Sequence, residues 1–293
     1  MTATWTRAVV AVVAALAAAA TAVLPLVVVE AQTHDTPSAA PVPLRSAGAS
    51  TLAWRASAPA RIVIGRSRLG RDIVAVRRGS PTAGKVLLVL GQMHGSEPAG
   101  RAVAAKVAAL TPPAGLQVWI VSTMNPDGSV ARRRTNARGV DLNRNFPYGW
   151  VRAARSIYYP GPFRGSEPET RAMAIFLERL RPDLVVSLHQ AFSSVDVSSA
   201  KTRAWAVRLA AALKLRQVAV PCGTGPCHGT MTSWYSSTYV GWAITVELPR
   251  TVRPSWATYD ARAILSVGAL LVPPITPPTP TPTPSATAGS ATP

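Results

Sequence analysis

Two histidines and two glutamates in this chain stand where chemistry could be done. His94 and Glu97 are three positions apart in VLLVLGQMHGSEPAG (residues 86–100), where a run of Val and Leu stops at a glycine. His189 follows the apolar stretch LVVSL, and Glu247 lies near the end of AITVEL. Imidazole and carboxylate groups build metal centres and carry protons. The chain has four histidines in all, so their placement is informative. At this level two readings stand together. His94 and Glu97 are a metal clip, or they belong to an ordinary strand-to-helix turn, with His189 and Glu247 as isolated polar caps. A richer stretch, NPDGSVARRRTNARGVDLNRNFP (125–147), adds arginines and further carboxylates.

The elements that must position these groups alternate in type. Asp72–Arg77, Val86–Leu90, Leu116–Ser122, Leu184–Leu188, Leu215–Val220 and Ala243–Leu248 are short and rich in Val, Ile and Leu. This predicts strands, and several are apolar on both faces, as central strands are. Glu97–Leu110, Glu167–Leu180, Thr202–Leu213 and Ala257–Leu271 carry apolar residues at helical spacing. Ser166-Glu-Pro-Glu169 reads as a capping box with a proline in the first turn, and Ser96 before Pro98 reads the same way. The alternation predicts an α/β fold: a mixed, largely parallel twisted sheet with helices on both faces. Ligands of such sheets bind beyond the carboxyl ends of the strands. His94, His189 and Glu247 fall at three strand ends, so they are expected to meet in one crevice.

The motifs HGSE (94–97), NPDG (125–128), RTNARGVDLNRNFP (134–147), SLHQ (187–190) and TVELP (245–249) occur in an order and spacing that resemble the zinc metallocarboxypeptidase family. The resemblance is to its short bacterial branch, the murein peptide amidases and γ-D-glutamyl-diaminopimelate peptidases, and GRSRLGRDI (65–73) is similar to the way those domains begin. It covers residues 61–250. The resemblance implies one Zn2+ per chain, held by His94, Glu97 and His189 with a fourth position open for water. It implies that Glu247 is the general base, that Arg134 faces the tetrahedral oxyanion, and that Asn143 and Arg144 grip a terminal carboxylate. Asp141 is expected to accept a hydrogen bond from a ligand imidazole. Arg132 and Arg133 compete with Arg134 for its role. The sequence departs from the family in having no tyrosine between Cys222 and Ser233, and in running on as HQAF where the branch has a proline after Gln190. Tyr235 and Tyr239 lie too close to Glu247 to take the place of a mobile tyrosine. Met231 aligns too loosely for a role in side-chain preference, and His228 is a further candidate for substrate contact.

The rest of the chain sets the address. Residues 8–29 are apolar and follow Arg7, and Val29-Glu30-Ala31 has the small residues of a signal-peptidase site. Residues 1–31 are therefore expected to be a cleaved signal or a retained anchor, and the protein to be secreted or extracytoplasmic, meeting a membrane only if that segment is kept. Residues 32–60 (with His34) read as a linker, 61–272 as the catalytic domain, and 273–293 as a Pro/Thr-rich extended tail. Cys222 and Cys227 are expected to pair in a small loop disulfide. The net charge of +18 usually marks nucleic-acid binding. An exported chain meets anionic envelope polymers instead, so the expected partners are a peptide or muropeptide substrate and the anionic cell envelope, with no nucleic acid and a monomeric state.

Other chemistries are weaker. Ser198-Ser-Ala-Lys201 fits the Ser-x-x-Lys pattern of serine acyl-enzymes, but no Ser-Asp-Asn or Lys-Thr-Gly follows. A related zinc-dependent N-acyl amino-acid deacylase would use a similar ligand set. A non-catalytic cell-wall-binding module would have lost a ligand or the base, and both are present. The expected activity is that of an exported zinc metallopeptidase acting on peptides with a free carboxylate, namely peptidoglycan stem peptides at the γ-D-Glu–diaminopimelate bond.

Overall fold

The computed structural model describes residues 44–219, 227–251 and 254–274. In chain order the elements are α1 (Ala49–Ser57), β1 (Arg61–Arg66), β2 (Asp72–Arg78), β3 (Lys85–Leu90), α2 (Ala99–Ala109), β4 (Leu116–Val121), α3 (Pro126–Ala131), a single 3-10 turn (Leu142–Arg144), α4 (Pro168–Leu180), β5 (Leu184–Asp196), α5 (Arg203–Leu213), β6 (Arg216–Val218), α6 (Met231–Thr238), β7 (Trp242–Pro249) and α7 (Pro254–Ala269). They build one seven-stranded sheet. β1 pairs antiparallel with β2, and β2 antiparallel with β4. From there β4, β3, β5 and β7 run parallel, and β6 pairs with the far end of β5. The fold is thus the expected α/β arrangement with a mostly parallel sheet.

The central strands are apolar on both faces because both are covered. Leu87 and Val89 of β3 face one core with Val118, Val186 and Val246, under α2, α5 and α7. Val86, Leu88 and Leu90 face the other, with Trp119, Val121 and Val185, under α4 and α6. Parallel pairing brings the carboxyl ends of β3, β5 and β7 to the same edge. The described residues contain no helix long and apolar enough to cross a membrane.

Several expectations change. Helix α1 lies inside the stretch read as linker, and it is packed onto the domain. Trp54 stacks on the buried Trp119 at 6.1 Å and meets Phe176 edge-on. The buried Arg55 donates from Nε to the Leu180 carbonyl at 2.7 Å and from Nη2 to that of Arg181, closing the end of α4. An alanine- and serine-rich composition disguised this helix. β1 also went unread, since it is a half-exposed edge strand. β5 runs to Asp196, well past Leu188, with a register irregularity against β7 and a cis Gln190–Ala191 peptide. Its polar second half hid it. Neither capping box forms: the ends of α2 and α4 have no side-chain cap, and α2 starts at Ala99, so Glu97 precedes the helix. Glu169 is instead drawn to the Arg68 N–H (2.8 Å) and Asn136 Nδ2 (3.1 Å).

Residues 1–43, Cys222 and residues 275–293 lie outside the described residues, and with them the N-terminal segment, most of the tail and one half of the expected Cys222–Cys227 pair. Cys227 itself carries no free thiol.

Candidate active site

The turn after β3 is shaped by backbone contact. The Glu97 N–H donates to the His94 carbonyl at 3.0 Å, which sets the two side chains on one side. A Cβ at Gly95 would lie 1.9 Å from the carbonyl carbon of Gly128. Only glycine lets the Asn125–Gly128 turn pack that close, so NPDG serves as a brace behind the ligand turn. Asp127 of the same motif is buried and accepts from Ser67 Oγ (2.9 Å), the Leu69 N–H (2.9 Å) and Arg71 Nη1 (2.6 Å). GRSRLGRDI is therefore scaffold as well.

His94, Glu97 and His189 are buried and converge. Glu97 Oε1 lies 2.9 Å from His94 Nδ1, and Glu97 Oε2 lies 3.0 Å from His189 Nδ1. The two Nδ1 atoms are 3.2 Å apart. On its other side, His94 Nε2 meets Asp141 Oδ1 at 2.9 Å. A proton on Nε2, given to Asp141, leaves Nδ1 with a lone pair pointing at a carboxylate and at a second imidazole. Such an inward-facing set of lone pairs calls for a cation. Tetrahedral ligands at zinc distances sit roughly 3.4 Å from one another, close to the separations found here. The donor set and its spacing fit zinc.

Burial disfavours ionising Glu97 and Asp141, yet the field of His94 overrides it, helped by His189 at Glu97 and by Arg134 at Asp141. Both carboxyls are held well below the usual carboxylate range. Burial likewise opposes protonation of His94, but the Asp141 and Glu97 carboxylates outweigh it and raise its pKa. The same negative field would favour a metal cation at Nδ1.

Asp141 organises the rest. It is fully buried. Oδ1 also accepts from the Asn143 N–H at 2.9 Å, and Oδ2 accepts from Arg134 Nε at 2.9 Å and Nη2 at 2.8 Å. Arg134 Nη1 reaches Glu97 Oε1 at 3.3 Å. Arg132 takes a left-handed conformation at the end of α3, and it and Arg133 are exposed. Of the three arginines only Arg134 faces the site. Arg144 Nη1 is folded onto the Asn143 carbonyl at 2.8 Å. Burial and the nearby Arg134 charge lower its pKa, while Asp141 opposes them. Both guanidinium groups lie over the Tyr158 ring, at 5.0 Å for Arg134 and 5.7 Å for Arg144.

Glu247 sits on β7 opposite His189 of β5. It is nearly buried, and its Oε2 has no hydrogen-bond partner among the described residues. Burial raises its pKa, with Glu97 adding to the rise and His189 and His94 opposing it. A buried carboxylate with one unengaged oxygen and raised proton affinity has the properties of a base.

Two residues here were not read from the sequence as site residues. Gln190 donates its N–H to Glu97 Oε2 at 3.2 Å, and its Oε1 accepts the Ala99 N–H at 2.8 Å, so it ties β5 to the start of α2. Its place directly after His189 was the available signal. Tyr158 gave none, because it comes from an irregular loop. Tyr235 is buried with its hydroxyl on the Pro182 carbonyl at 2.5 Å, and Tyr239 is buried beside it. Both are core residues. The Met231 N–H is held by Asn143 Oδ1 at 3.1 Å, and His228 is exposed on the neighbouring loop.

The zinc carboxypeptidase family profile matches residues 114–259. That span holds Arg134, Asp141, Asn143, Arg144, His189 and Glu247, while His94 and Glu97 lie upstream and join them in space. Murein peptide amidase A of Escherichia coli K12 is 33% identical over 146 residues, covering 45% of this chain and 60% of that protein. The chain thus spans less than two thirds of this curated relative. The crystal structure of a murein-tripeptide amidase from Escherichia coli O157 superposes with a TM-score of 0.58 at 27% identity, over 75% of this chain and 94% of that one. Carboxypeptidase A of Helicoverpa armigera shares the fold, with a TM-score of 0.61 at 19% identity over 72% and 67% of the two chains. The chain carries a zinc carboxypeptidase domain.

Proposed function

We propose that this protein is a zinc-dependent hydrolase that removes a terminal residue from peptides bearing a free carboxylate. The observation that carries this reading is the union, in one site, of the His94–Glu97–His189 triad with a free buried carboxylate and two arginines. Zinc bound by the triad would supply a Lewis acid that polarises the scissile carbonyl and acidifies the attacking water. Glu247 takes the proton from that water through its unengaged oxygen and passes it to the departing amine nitrogen. Arg134, held from behind by Asp141, turns its fixed charge toward the developing oxyanion. Arg144 and Asn143 engage the terminal carboxylate of the substrate, for which a planar guanidinium offers two parallel donors. Asp141 also fixes the His94 ring and tautomer.

Peptidoglycan stem peptides, cut at the γ-D-Glu–diaminopimelate bond, are the substrate class we infer. The similarity to murein peptide amidases supports this. So does the export-like segment at residues 1–31, which lies outside the described residues. The +18 charge suits an anionic envelope. The test is digestion of a muropeptide panel read by mass spectrometry. Release of free diaminopimelate from stem peptides that end in it supports the reading. Release of acyl groups alone would reassign the protein as a deacylase, and an unchanged panel would leave only a binding module.

A further inference from the structure

Between the 3-10 turn and α4 the chain runs through residues 145–167 without a helix or strand. An irregular connection that long is uncommon in a compact domain and usually has a function of its own. Its base is pinned. Asn145 Nδ2 donates to the carbonyls of Pro160 at 2.7 Å and Phe163 at 3.1 Å, and Trp150 Nε1 donates to the Pro160 carbonyl at 3.1 Å. The Asp141 N–H donates to the Tyr159 carbonyl at 2.8 Å. Residues 151–158 stand out from that base as an unbroken run of exposed residues.

What this loop presents is unlike an ordinary polar turn. Tyr148, Val151, Ile157, Tyr158 and Phe163 are 49–61% exposed. The loop also carries Arg152, Arg155 and Arg164, and the sequence has no Asp or Glu between Asp141 and Glu167. Arg155 lies over the Tyr159 ring at 4.9 Å. Among the described residues, none of these three arginines forms an ion pair with a carboxylate. Exposed apolar side chains flanked by unneutralised arginines suit the boundary between acyl chains and anionic headgroups. There aromatic rings sit at headgroup level and guanidinium groups reach the phosphates. A soluble anionic polymer would satisfy the arginines but leave Val151 and Ile157 in water. The sequence also offers a bilayer nearby: residues 8–29 are apolar, and only residues 30–43 separate them from the described domain. A segment kept in the membrane would hold the domain within roughly 50 Å of it, the reach of that much extended chain.

We propose that the loop of residues 148–164 docks the domain on a bilayer surface rich in anionic lipid. Val151, Ile157 and the exposed aromatic rings enter the interface, and Arg152, Arg155 and Arg164 engage the headgroup phosphates. Tyr158 ties docking to the site, because its ring lies over Arg134 and Arg144. Docking therefore sets the mouth of the site against the surface. The proposal stands independently of the hydrolase reading.

The test uses the full chain with vesicles of phosphatidylcholine, with or without phosphatidylglycerol, whose acyl chains carry bromine as a quencher. A fluorophore is attached through Val151→Cys in the loop and, as a control, through Leu270→Cys. Leu270 is exposed beyond the end of α7, where Gly268 abuts Leu87 and Leu116 toward the amino edge of the sheet. Quenching at Val151 should be several-fold stronger with phosphatidylglycerol than without it, and the Leu270 label should be spared. Adding Arg152→Gln and Arg155→Gln should lower the ratio of docked to free loop about fivefold per arginine. Ile157→Asp should lower it in both lipids. Equal quenching at the two positions, no quenching at Val151, or no dependence on phosphatidylglycerol overturns the proposal. A Val151 label that responds to soluble polyphosphate and not to lipid reassigns the loop to an anionic polymer and overturns it as well. Muropeptide cleavage enters none of these readouts, so the hydrolase reading stands or falls separately.

Discussion

Asp141→Asn is the perturbation from which the account predicts most. The two side chains have nearly the same shape, so packing is preserved while one charge is lost. The carboxylate accepts from His94 Nε2, the Asn143 N–H and two nitrogens of Arg134, all at 2.8–2.9 Å. An amide cannot serve both sides. Its NH2 must face either the His94 and Asn143 donors or the Arg134 donors, and a buried donor then meets a donor. Hydrogen bonds to charged groups contribute about 1.5–3 kcal/mol each, and a buried group left unpaired costs a similar amount. Loosening the partner of a ligand imidazole typically costs 10–100-fold in metal affinity, or about 1.4–2.7 kcal/mol. Zinc affinity, measured by competition with a chromogenic chelator, should fall by that factor. With zinc restored to saturation, kcat/KM should remain about tenfold low or more, because Arg134 has lost its support. Arg134→Ala separates the two effects, since it should lower kcat/KM and leave zinc affinity within a few-fold. Wild-type zinc affinity together with wild-type turnover in Asp141→Asn would refute the reasoning.

Other consequences are simpler to state. Arg144→Ala should raise KM for substrates with a free terminal carboxylate by about 100-fold or less, with little effect on the amidated analogue. Comparing the two substrates in steady-state assays checks this. Gly95→Ala places a methyl 1.9 Å from the Gly128 carbonyl carbon. It should cost at least about 1–3 kcal/mol, lower Tm and reduce bound zinc, as differential scanning calorimetry and metal analysis would record. Burial raises the pKa of Asp260 in α7 to about 6. Its folded pKa exceeds the unfolded value, so its contribution to stability is present at low pH and is lost as pH rises through about 6. Asp260→Asn should therefore melt above the wild type at pH 7.5, with the difference vanishing toward pH 4.

The parallel core was legible because β3, β4 and the first half of β5 are apolar on both faces, a pattern few other structures produce. The candidate ligands were legible for a related reason: a polar residue at the end of such a strand has few places to go. What stayed hidden depended on partners distant in the chain. Arg55 reads as a linker arginine until the end of α4 is brought to it. Glu169 reads as a capping residue until Asn136 and Arg68 claim its oxygens. Arg134 could not be separated from Arg132 and Arg133 by spacing alone, and its bonds to Asp141 decide the matter. The second half of β5 is polar, and only pairing with β6 and β7 makes it a strand.

The central claim is that His94, Glu97 and His189 hold one zinc ion. The most direct test is an anomalous difference map from zinc-loaded crystals, collected on both sides of the zinc edge. One peak per chain is expected, about 2.0–2.1 Å from His94 Nδ1 and His189 Nδ1 and bonded to Glu97. A peak elsewhere, or none at this site in zinc-saturated protein, would contradict it.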